Sequence, residues 1–255
     1  MICNNCGMYG HISRTCNKPI RSYGVLLIKD IKKDSKLVFV KRKDSICYID
    51  IVRGKYDVTN TNKLKLLLSR ITINEFNKLE NKPFEYIWKN LWLLNKIKET
   101  NEYLKCKKKH NELLKVLNNY KNYPIYFETE WEFPKGKRNI NELYHNAAKR
   151  ELEEETNIYE EDYELIVNIN SIKENILGED NINYENVYYL GICNNTYNIK
   201  INKNNIHQIS EINDIGIFSK EESLKLIRDY NKSKINIINK VYDFIENYNN
   251  DLILK

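Results

Sequence analysis

The sequence predicts an α/β fold, an α/β/α sandwich in which a mixed sheet lies between layers of helices. Runs rich in β-branched and aromatic residues open the chain after residue 19 and return after residue 122, and a helical pattern fills residues 58–121 between them. Two further helical patterns close the chain. A length of 255 residues suits one main domain with additions. We therefore expect one α/β domain that carries an inserted all-helical subdomain and a small metal-binding element at its amino terminus.

The composition limits the class of protein. Net charge is +6 and 30% of the residues are charged. No stretch approaches the ~20 consecutive apolar residues of a membrane span. The opening MICNNCGMYGHIS lacks the charged start and apolar run of a secretory signal. We expect a soluble, cytoplasmic protein in a reducing setting, without membrane contact, and the basic excess favours a polyanionic partner.

The first element, residues 1–18, holds three of the six cysteines together with a histidine. In a chain expected to stay reduced, this crowding favours a metal site over disulfides. Zn²⁺ takes four such ligands in a tetrahedron, and the spacing C-x2-C-x4-H-x4-C resembles that of retroviral-type zinc knuckles. The predicted zinc ligands are Cys3, Cys6, His11 and Cys16.

The role of this knuckle stays open at the level of sequence. In similar knuckles apolar or aromatic residues stack on unpaired RNA bases, so the resemblance implies that role for Met8, Tyr9 and Ile12, with Arg14 available for phosphates. A site this small is folded by its metal, so it could instead brace the amino terminus. Replacing Cys3 by serine separates the two. Loss of RNA binding alone indicates an RNA contact, and loss of small-substrate hydrolysis as well indicates a brace.

Residues 19–57 are predicted to form the first strands of the sheet. The runs GVLLI at 24–28, KLVFV at 36–40 and ICYIDIV at 46–52 are separated by short polar turns. Such turns are typical of antiparallel neighbours, so we expect a three-stranded antiparallel start.

Residues 58–121 are predicted to form the helical subdomain. Thr72 and Glu75 make a capping box at the start of one helix. A second helix carries an apolar stripe that is expected to face a core, and a third covers about 98–118. The stripe consists of Phe84, Ile87, Trp88, Leu91 and Trp92. The basic run KCKKKH at 105–110 is either a solvated face or a contact for RNA phosphates.

Residues 122–255 are predicted to complete the α/β domain. Strands are expected within 123–133, 163–169, 187–193 and 198–201, and helices over about 142–155, 221–230 and 235–248.

The helix expected over 142–155 carries the strongest chemical signal. Glu151, Glu154 and Glu155 stand at i, i+3 and i+4 and therefore share one helical face. Three carboxylates this close repel one another. A divalent cation would relieve that repulsion, and an exposed, solvated face would tolerate it, so the cluster alone leaves both interpretations open.

The surrounding segment, GKRNINELYHNAAKRELEEETNI at 136–158, resembles the Nudix box, G-x5-E-x7-R-E-U-x-E-E-x-G-U with U an aliphatic residue. Every position fits except that Asn157 replaces the last glycine. That position ends the helix in a left-handed conformation, which asparagine tolerates best after glycine. The resemblance implies the Nudix fold and hydrolysis of a diphosphate.

The resemblance also implies roles for individual residues. Mg²⁺ or Mn²⁺ would be held by Glu151, Glu154 and Glu155 with the carbonyl of Gly136. Arg150 would orient the glutamates through a salt bridge, and Glu142 would brace the loop to the helix. Glu211, in SEINDIGIFSKEES at 210–223, is the candidate general base, with a structural role as the alternative.

The approach to the box, WEFPKGKR at 131–138, resembles that of eukaryotic decapping enzymes and of diphosphoinositol and dinucleoside polyphosphate hydrolases. In those proteins its basic residues meet phosphates. The resemblance therefore implies that Lys135, Lys137 and Arg138 contact the substrate.

A wider resemblance is to the decapping Nudix proteins of large nucleocytoplasmic DNA viruses, a group that includes those of African swine fever virus and the mimiviruses. It is carried by SYGVLLI at 22–28, ICYIDIVRGKY at 46–56 and PFEYIWKNLW at 83–92. It implies that Arg53 and Lys55 lie near the substrate. The candidates for stacking on a methylated cap base, each with core packing as its alternative, are Tyr48, Tyr56 and Trp131.

The function expected from these resemblances is removal of the 5′ cap from mRNA, with release of 7-methyl-GDP and 5′-monophosphate RNA. The knuckle and the basic helical subdomain would hold the polymer outside the hydrolytic pocket. A diphosphoinositol or dinucleoside polyphosphate hydrolase is one alternative, and a non-catalytic RNA-binding protein on a Nudix scaffold is another. The sequence leaves the oligomeric state unknown.

Overall fold

The computed structural model describes residues 2–31, 34–166, 168–178, 182–193 and 199–247. It divides into two compact units. The sheet unit comprises Met1–Lys41 and Trp131–Lys255, and the helical unit comprises Arg42–Glu130.

The strands in the described residues are β1 (Ile20–Lys29), β2 (Lys36–Arg42), β3 (Trp131–Glu132), β4 (Lys135–Gly136), β5 (Glu164–Leu165), β6 (Ile172–Leu177), β7 (Asn183–Cys193) and β8 (Ile212–Phe218). The α-helices in the same part of the chain are α1 (Ile46–Val52), α2 (Thr61–Ser69), α3 (Ile73–Asn81), α4 (Phe84–Trp92), α5 (Asn101–Leu117), α6 (Tyr144–Thr156), α7 (Ile206–Glu211), α8 (Lys220–Leu226) and α9 (Lys232–Glu246).

β1 lies at the centre of a mixed sheet. It runs parallel to β7 from Ile20 opposite Tyr184 to Lys29 opposite Cys193, and antiparallel to β2 and to β4. The path of the sheet is β3-β2-β1-β7-β5, with β4 on β1, β6 on β7 and β8 on β2. Residues 23–28 of β1 are all buried, as expected for a strand that is covered on both faces.

Helices cover both faces of this sheet. Leu26 of β1 belongs to the same buried cluster as Ile238 of α9, whereas the next residue, Leu27, belongs to the cluster that contains Leu152 of α6. This alternation follows from the two-residue period of a strand. The predicted α/β/α arrangement is confirmed.

The helical unit has its own core. The predicted stripe on α4 is buried there except for Trp92, which is 43% exposed. The capping box before α3 is also confirmed, because Glu75 N donates to Thr72 Oγ1 and Thr72 N donates to a Glu75 carboxylate oxygen. No helix in the described ranges combines the length and the apolar character that crossing a bilayer requires.

The prediction of a third strand at 46–52 was wrong, because ICYIDIV forms α1. Its buried residues, Cys47, Tyr48, Ile51 and Val52, recur at helical spacing. The helix begins beside Ser45, whose backbone N–H donates to Glu75. The helical unit extends from Arg42 to Glu130. This range is wider than the 58–121 expected from the sequence.

Of the other predicted strands, one is confirmed, two are shorter than expected and one is not a strand where it is described. Within 123–133 only Trp131–Glu132 is a strand, and among the described residues of 163–169 only Glu164–Leu165 is one. Of the strand predicted at 198–201, residue 198 lies outside the described residues and 199–201 are not a strand. The sequence missed β6 and α7, whereas the strand at 187–193 is confirmed as part of β7.

Candidate active site

The box glutamates lie on α6, whose small apolar residues Ala147 and Ala148 are fully buried in the cluster that also contains Leu27 of β1. The same helix buries Glu151 and Glu155, which are 9% and 8% exposed. Glu154 points further outward, with 34% of its side chain exposed. Burial therefore weakens the hydration of the Glu151 and Glu155 carboxylates, whereas that of Glu154 remains in contact with water.

The backbone of β4 lies in close contact with two of these carboxylates. A Cβ on Gly136 would lie 2.0 Å from Glu151 Oε2, so the carboxylate occupies the space that any side chain at this position would need. Next to it, Lys135 N donates to Glu155 Oε2 at 3.0 Å. The loop before α6 thus lies directly against the carboxylates of Glu151 and Glu155. Carboxylate oxygens are the hard ligands that Mg²⁺ and Mn²⁺ prefer.

Arg150 connects the glutamates to the loop. Its Nη1 donates to Glu151 Oε1 at 2.8 Å and to Glu154 Oε2 at 3.0 Å. Its Nε donates to Glu142 Oε1 at 2.8 Å, and its Nη2 donates to the carbonyl of Lys137 at 2.8 Å. One guanidinium, with its fixed fork of donors, therefore sets the spacing of three carboxylates and one loop carbonyl.

Burial raises the pKa values of two of the carboxylates. Desolvation raises the pKa of Glu151 to about 7, although the nearby Arg150 opposes this shift. Desolvation also raises the pKa of Glu155 to about 8, against the opposing charge of Lys135. A divalent cation would offset this cost directly, because it supplies positive charge where protein and water supply little.

The last turn of α6 is held by α7. Asn157 ends α6 with φ 57°, in the left-handed region, and its amide donates to Gln208 at 3.1 Å. Gln208 Nε2 donates to the carbonyl of Glu155 at 2.9 Å, and Asn205 Nδ2 donates to that of Glu154 at 3.2 Å. The side chain that replaces the glycine of the box thus takes part in attaching α7.

Glu211 is the last residue of α7. Its charge is among the causes that raise the pKa of Glu151 and of Glu155. The structure therefore brings this fourth carboxylate within electrostatic range of the box glutamates. The contacts of Asn205 and Gln208, which orient α7, were missed by sequence reasoning. Asn205 does cap α7 by accepting from Gln208 N, and this asparagine three residues before glutamine is a signal that the sequence carries.

The three basic residues of the loop have different surroundings. Lys135 Nζ lies 2.6 Å from Glu132 Oε2, and Glu132 in turn pairs with the buried Lys234 at 3.5 Å. Lys137 is exposed. Arg138 contacts backbone carbonyls of the knuckle and of Glu142. Of the predicted substrate contacts in this loop, Lys137 is the one whose side chain points to solvent.

The remaining predicted substrate residues belong to the helical unit. Arg53 lies 3.8 Å from Glu102 and over the ring of Trp92, and Lys55 pairs with Asp50 at 2.8 Å. The candidates for stacking on a base are all core residues, because Tyr48, Tyr56 and Trp131 are 3%, 5% and 8% exposed.

The four predicted zinc ligands come together. One ligand atom from each of Cys3, Cys6, His11 and Cys16 lies within 4.8 Å of all the others. Zn–S and Zn–N bonds of roughly 2.0 to 2.3 Å in a tetrahedron need such spacing. Asn5 Nδ2 donates to Cys16 Sγ at 3.3 Å. The arrangement fits a zinc knuckle, and its Met8 and Tyr9 are 59% and 77% exposed.

Comparison with known proteins finds a family model described as NUDIX domain, which matches residues 114–235. A protein of Acanthamoeba polyphaga mimivirus, named as an mRNA-decapping protein, is 28% identical over 97% of this chain and 95% of its own length. An mRNA-decapping protein of African swine fever virus is 26% identical over 83% of this chain and 89% of its own. Among solved structures, a C. elegans Ap4A hydrolase binary complex aligns with a TM-score of 0.48 and 11% identity, covering 89% of this chain and 98% of that one. This last likeness is too loose to bear on the substrate.

Proposed function

Residues 114–235 of this chain are a NUDIX domain, and from that premise we propose that the protein is a metal-dependent pyrophosphohydrolase that removes the 5′ cap from mRNA. Its products are 7-methyl-GDP and RNA with a 5′-monophosphate. The observation that carries the proposal is that Arg150 binds both Glu151 and Glu154, while Glu155 on the same helix accepts from the backbone N–H of Lys135, next to Gly136.

The chemistry assigns a role to each group. Glu151, Glu154, Glu155 and the carbonyl of Gly136 would hold Mg²⁺ or Mn²⁺, which when bound supplies charge neutralisation at the diphosphate oxygens. Arg150 keeps the carboxylates at fixed spacing before substrate arrives. Glu211 would accept the proton of the attacking water. The oxygen of that water forms a bond to one phosphorus while the phosphoanhydride bond between that phosphorus and the leaving phosphate breaks. The water oxygen ends on one product, and the bridging oxygen leaves with the other.

Capped mRNA as the substrate is supported by the relatives that bear the decapping name. The mimivirus relative aligns over 97% of the chain, so the likeness extends beyond the NUDIX domain into the knuckle and the helical unit. In the helical unit Lys105, Lys108 and Lys115 are exposed along α5, where they could contact RNA phosphates. We assign Lys137 to the substrate phosphates, Lys135 and Arg138 to positioning the loop, and Arg53 and Lys55 to RNA held by the helical unit. The site of action would be the cytoplasm, that of the host if the chain is viral.

The test is release of 7-methyl-GDP from cap-labelled RNA with added Mg²⁺ or Mn²⁺. Glu154→Gln should lower turnover by orders of magnitude with little loss of RNA affinity, because it removes a cation ligand and no RNA contact. The matched control is Glu153→Gln, the same substitution at the adjacent exposed position of α6, which should retain turnover. Near-normal turnover by Glu154→Gln would contradict the assignment of this glutamate.

Two further comparisons separate the alternatives. Faster turnover of diphosphoinositol polyphosphates or dinucleoside polyphosphates than of capped RNA would replace the proposed substrate and keep the proposed chemistry. A protein that acts without hydrolysis would keep its effect in cells when Glu154 and Glu155 are both changed to glutamine, and the proposal would then fail.

A further inference from the structure

Arg138 joins the knuckle to the loop that precedes α6. Its Nη2 donates to the carbonyls of Cys3 and Asn4 at 3.3 and 3.4 Å, and its Nε lies 3.4 Å from the same Asn4 carbonyl. On the other side, Nη1 donates to the carbonyl of Glu142 at 3.2 Å. Arg138 therefore contacts a residue that lies 134 positions earlier in the chain.

The guanidinium is held in this position from two directions. It lies over the ring of Tyr144 at 5.3 Å, and that ring stacks on Tyr23 of β1 with centroids 5.0 Å apart. On the knuckle side, a Cβ at Gly7 would lie 3.1 Å from Arg138 Nη2, and Gly7 has φ +75°. The knuckle backbone can approach this closely because residue 7 has no side chain.

The carbonyls that accept from Arg138 are oriented by the fold of the metal loop. Cys3 N donates to the carbonyl of Met8 at 2.9 Å, and Gly7 N donates to that of Cys3 at 2.8 Å. Cys3 is fully buried and is also a predicted ligand. A loop of this size has almost no apolar core, so a zinc ion bound by its four ligands would hold it in one conformation.

From Glu142 the connection continues to the catalytic region. The Glu142 carboxylate accepts from Asn139 N at 2.7 Å and from Arg150 Nε at 2.8 Å, and Arg150 binds Glu151 and Glu154. The hydrogen bonds that lead from Cys3 through Arg138, Glu142 and Arg150 to the box glutamates each involve at least one charged side chain, which makes them stronger than neutral ones.

We propose that the zinc-loaded knuckle sets the geometry of the cation-binding glutamates, with Arg138 as the positioning residue that couples the two metal sites. The inference rests on the proposed function, since it assumes that the glutamates bind a divalent cation. It assigns the knuckle a task within hydrolysis that is separate from any contact with RNA. Removing zinc then weakens the second site even when no RNA is present.

The experiment measures Mn²⁺ binding by electron paramagnetic resonance in the full chain, without substrate. Wild-type protein is compared zinc-loaded and after treatment with a chelator that is then removed. Zinc removal should weaken Mn²⁺ affinity tenfold or more. Arg138→Ala in the zinc-loaded protein should give a similar loss, and zinc removal from this variant should add little to it, because both changes break the same connection.

Matched variants test the specificity of the effect. Arg138→Lys keeps the charge but cannot reach carbonyls on both sides, so it should restore only part of the affinity. Lys225→Ala, which removes an exposed cation from α8 of the same unit, should leave Mn²⁺ affinity and zinc retention unchanged. Arg138→Ala should also release zinc faster to a colorimetric chelator, because coupling acts in both directions. Circular dichroism excludes loss of fold as the cause.

The outcomes distinguish the two proposals. Mn²⁺ affinity that is equal within threefold with and without zinc, or unchanged in Arg138→Ala, overturns the coupling and leaves the proposed function standing. Zinc-loaded wild type that binds no Mn²⁺ overturns the proposed function and the coupling with it. Hydrolysis of a dinucleoside polyphosphate should fall with zinc removal as well, whereas a knuckle that only binds RNA would leave it unaffected.

Discussion

Gly136→Ala tests the closest contact in the candidate active site. The new Cβ would lie 2.0, 2.2 and 2.4 Å from Glu151 Oε2, Cδ and Oε1. Because φ of Gly136 is outside the left-handed region, alanine can adopt this backbone, and the effect of the substitution comes from the contact alone.

The size of the effect follows from the distances. Ordinary van der Waals contact begins at 3.4 Å, so the Glu151 carboxylate must recede by about 1.4 Å, the difference between 3.4 and 2.0 Å. That shift also disrupts its 2.8 Å bond to Arg150. A misplacement of about 1 Å at a reacting centre costs roughly 100-fold in rate, equivalent to about 2.7 kcal/mol. We expect turnover and Mn²⁺ affinity to fall by about this factor.

The measurements are turnover of cap-labelled RNA and Mn²⁺ titration, with thermal unfolding as the check on folding. A double-mutant cycle locates the cause. In a Glu151→Ala background there is no carboxylate to displace, so Gly136→Ala should have little further effect on Mn²⁺ binding. Wild-type turnover by Gly136→Ala, or an equal loss in both backgrounds, would refute the reasoning.

Three further predictions concern stability and pH. Lys234→Met should lower the free energy of unfolding in urea by about 3 kcal/mol, because it removes one of the cations that pair with the buried carboxylate of Glu132. Lys240→Met, at an exposed position of the same helix, should not lower it. Asn157→Gly keeps the left-handed turn but loses the amide bonds to α7, so the same measurement should show a loss of about 1 kcal/mol. Mn²⁺ affinity should rise with pH up to about pH 8, because the cation must displace protons from Glu151 and Glu155, whose pKa values are raised to about 7 and about 8; a flat profile between pH 6 and 9 would contradict this.

The glutamates of α6 could be predicted from the sequence because their relation is local. Spacing of i, i+3 and i+4 places side chains on one face of any α-helix, whatever surrounds it. The same holds for the Cys/His spacing of the knuckle and for the capping box before α3. In each case the interacting groups are close in the chain, so the backbone conformation fixes their geometry.

Features that depend on distant partners could not be predicted. Ile46–Val52 has the composition of a strand, but Glu75 accepts from Ser45 N thirty positions away and the segment becomes α1. The strand propensity of these residues therefore did not decide their conformation, because contacts with distant parts of the chain can override it. Arg138 is predicted to contact substrate because of its place in the loop, and that prediction stands beside its contacts with the carbonyls of Cys3 and Asn4, which the sequence did not indicate. A long basic side chain can reach several hydrogen-bond partners, and the sequence alone does not show which of them it contacts.

The pairing of Lys41 with Trp131 means that the chain leaves the sheet unit and re-enters it at neighbouring positions on two antiparallel strands. Two such ends can be closed by a tight turn of about two residues, so residues 42–130 could be excised to leave an ordinary β-hairpin. The helical segment, with a core of its own, could be produced as a separate polypeptide. The proposed cleavage of diphosphates and the proposed binding of RNA could then be measured on two pieces of protein made independently.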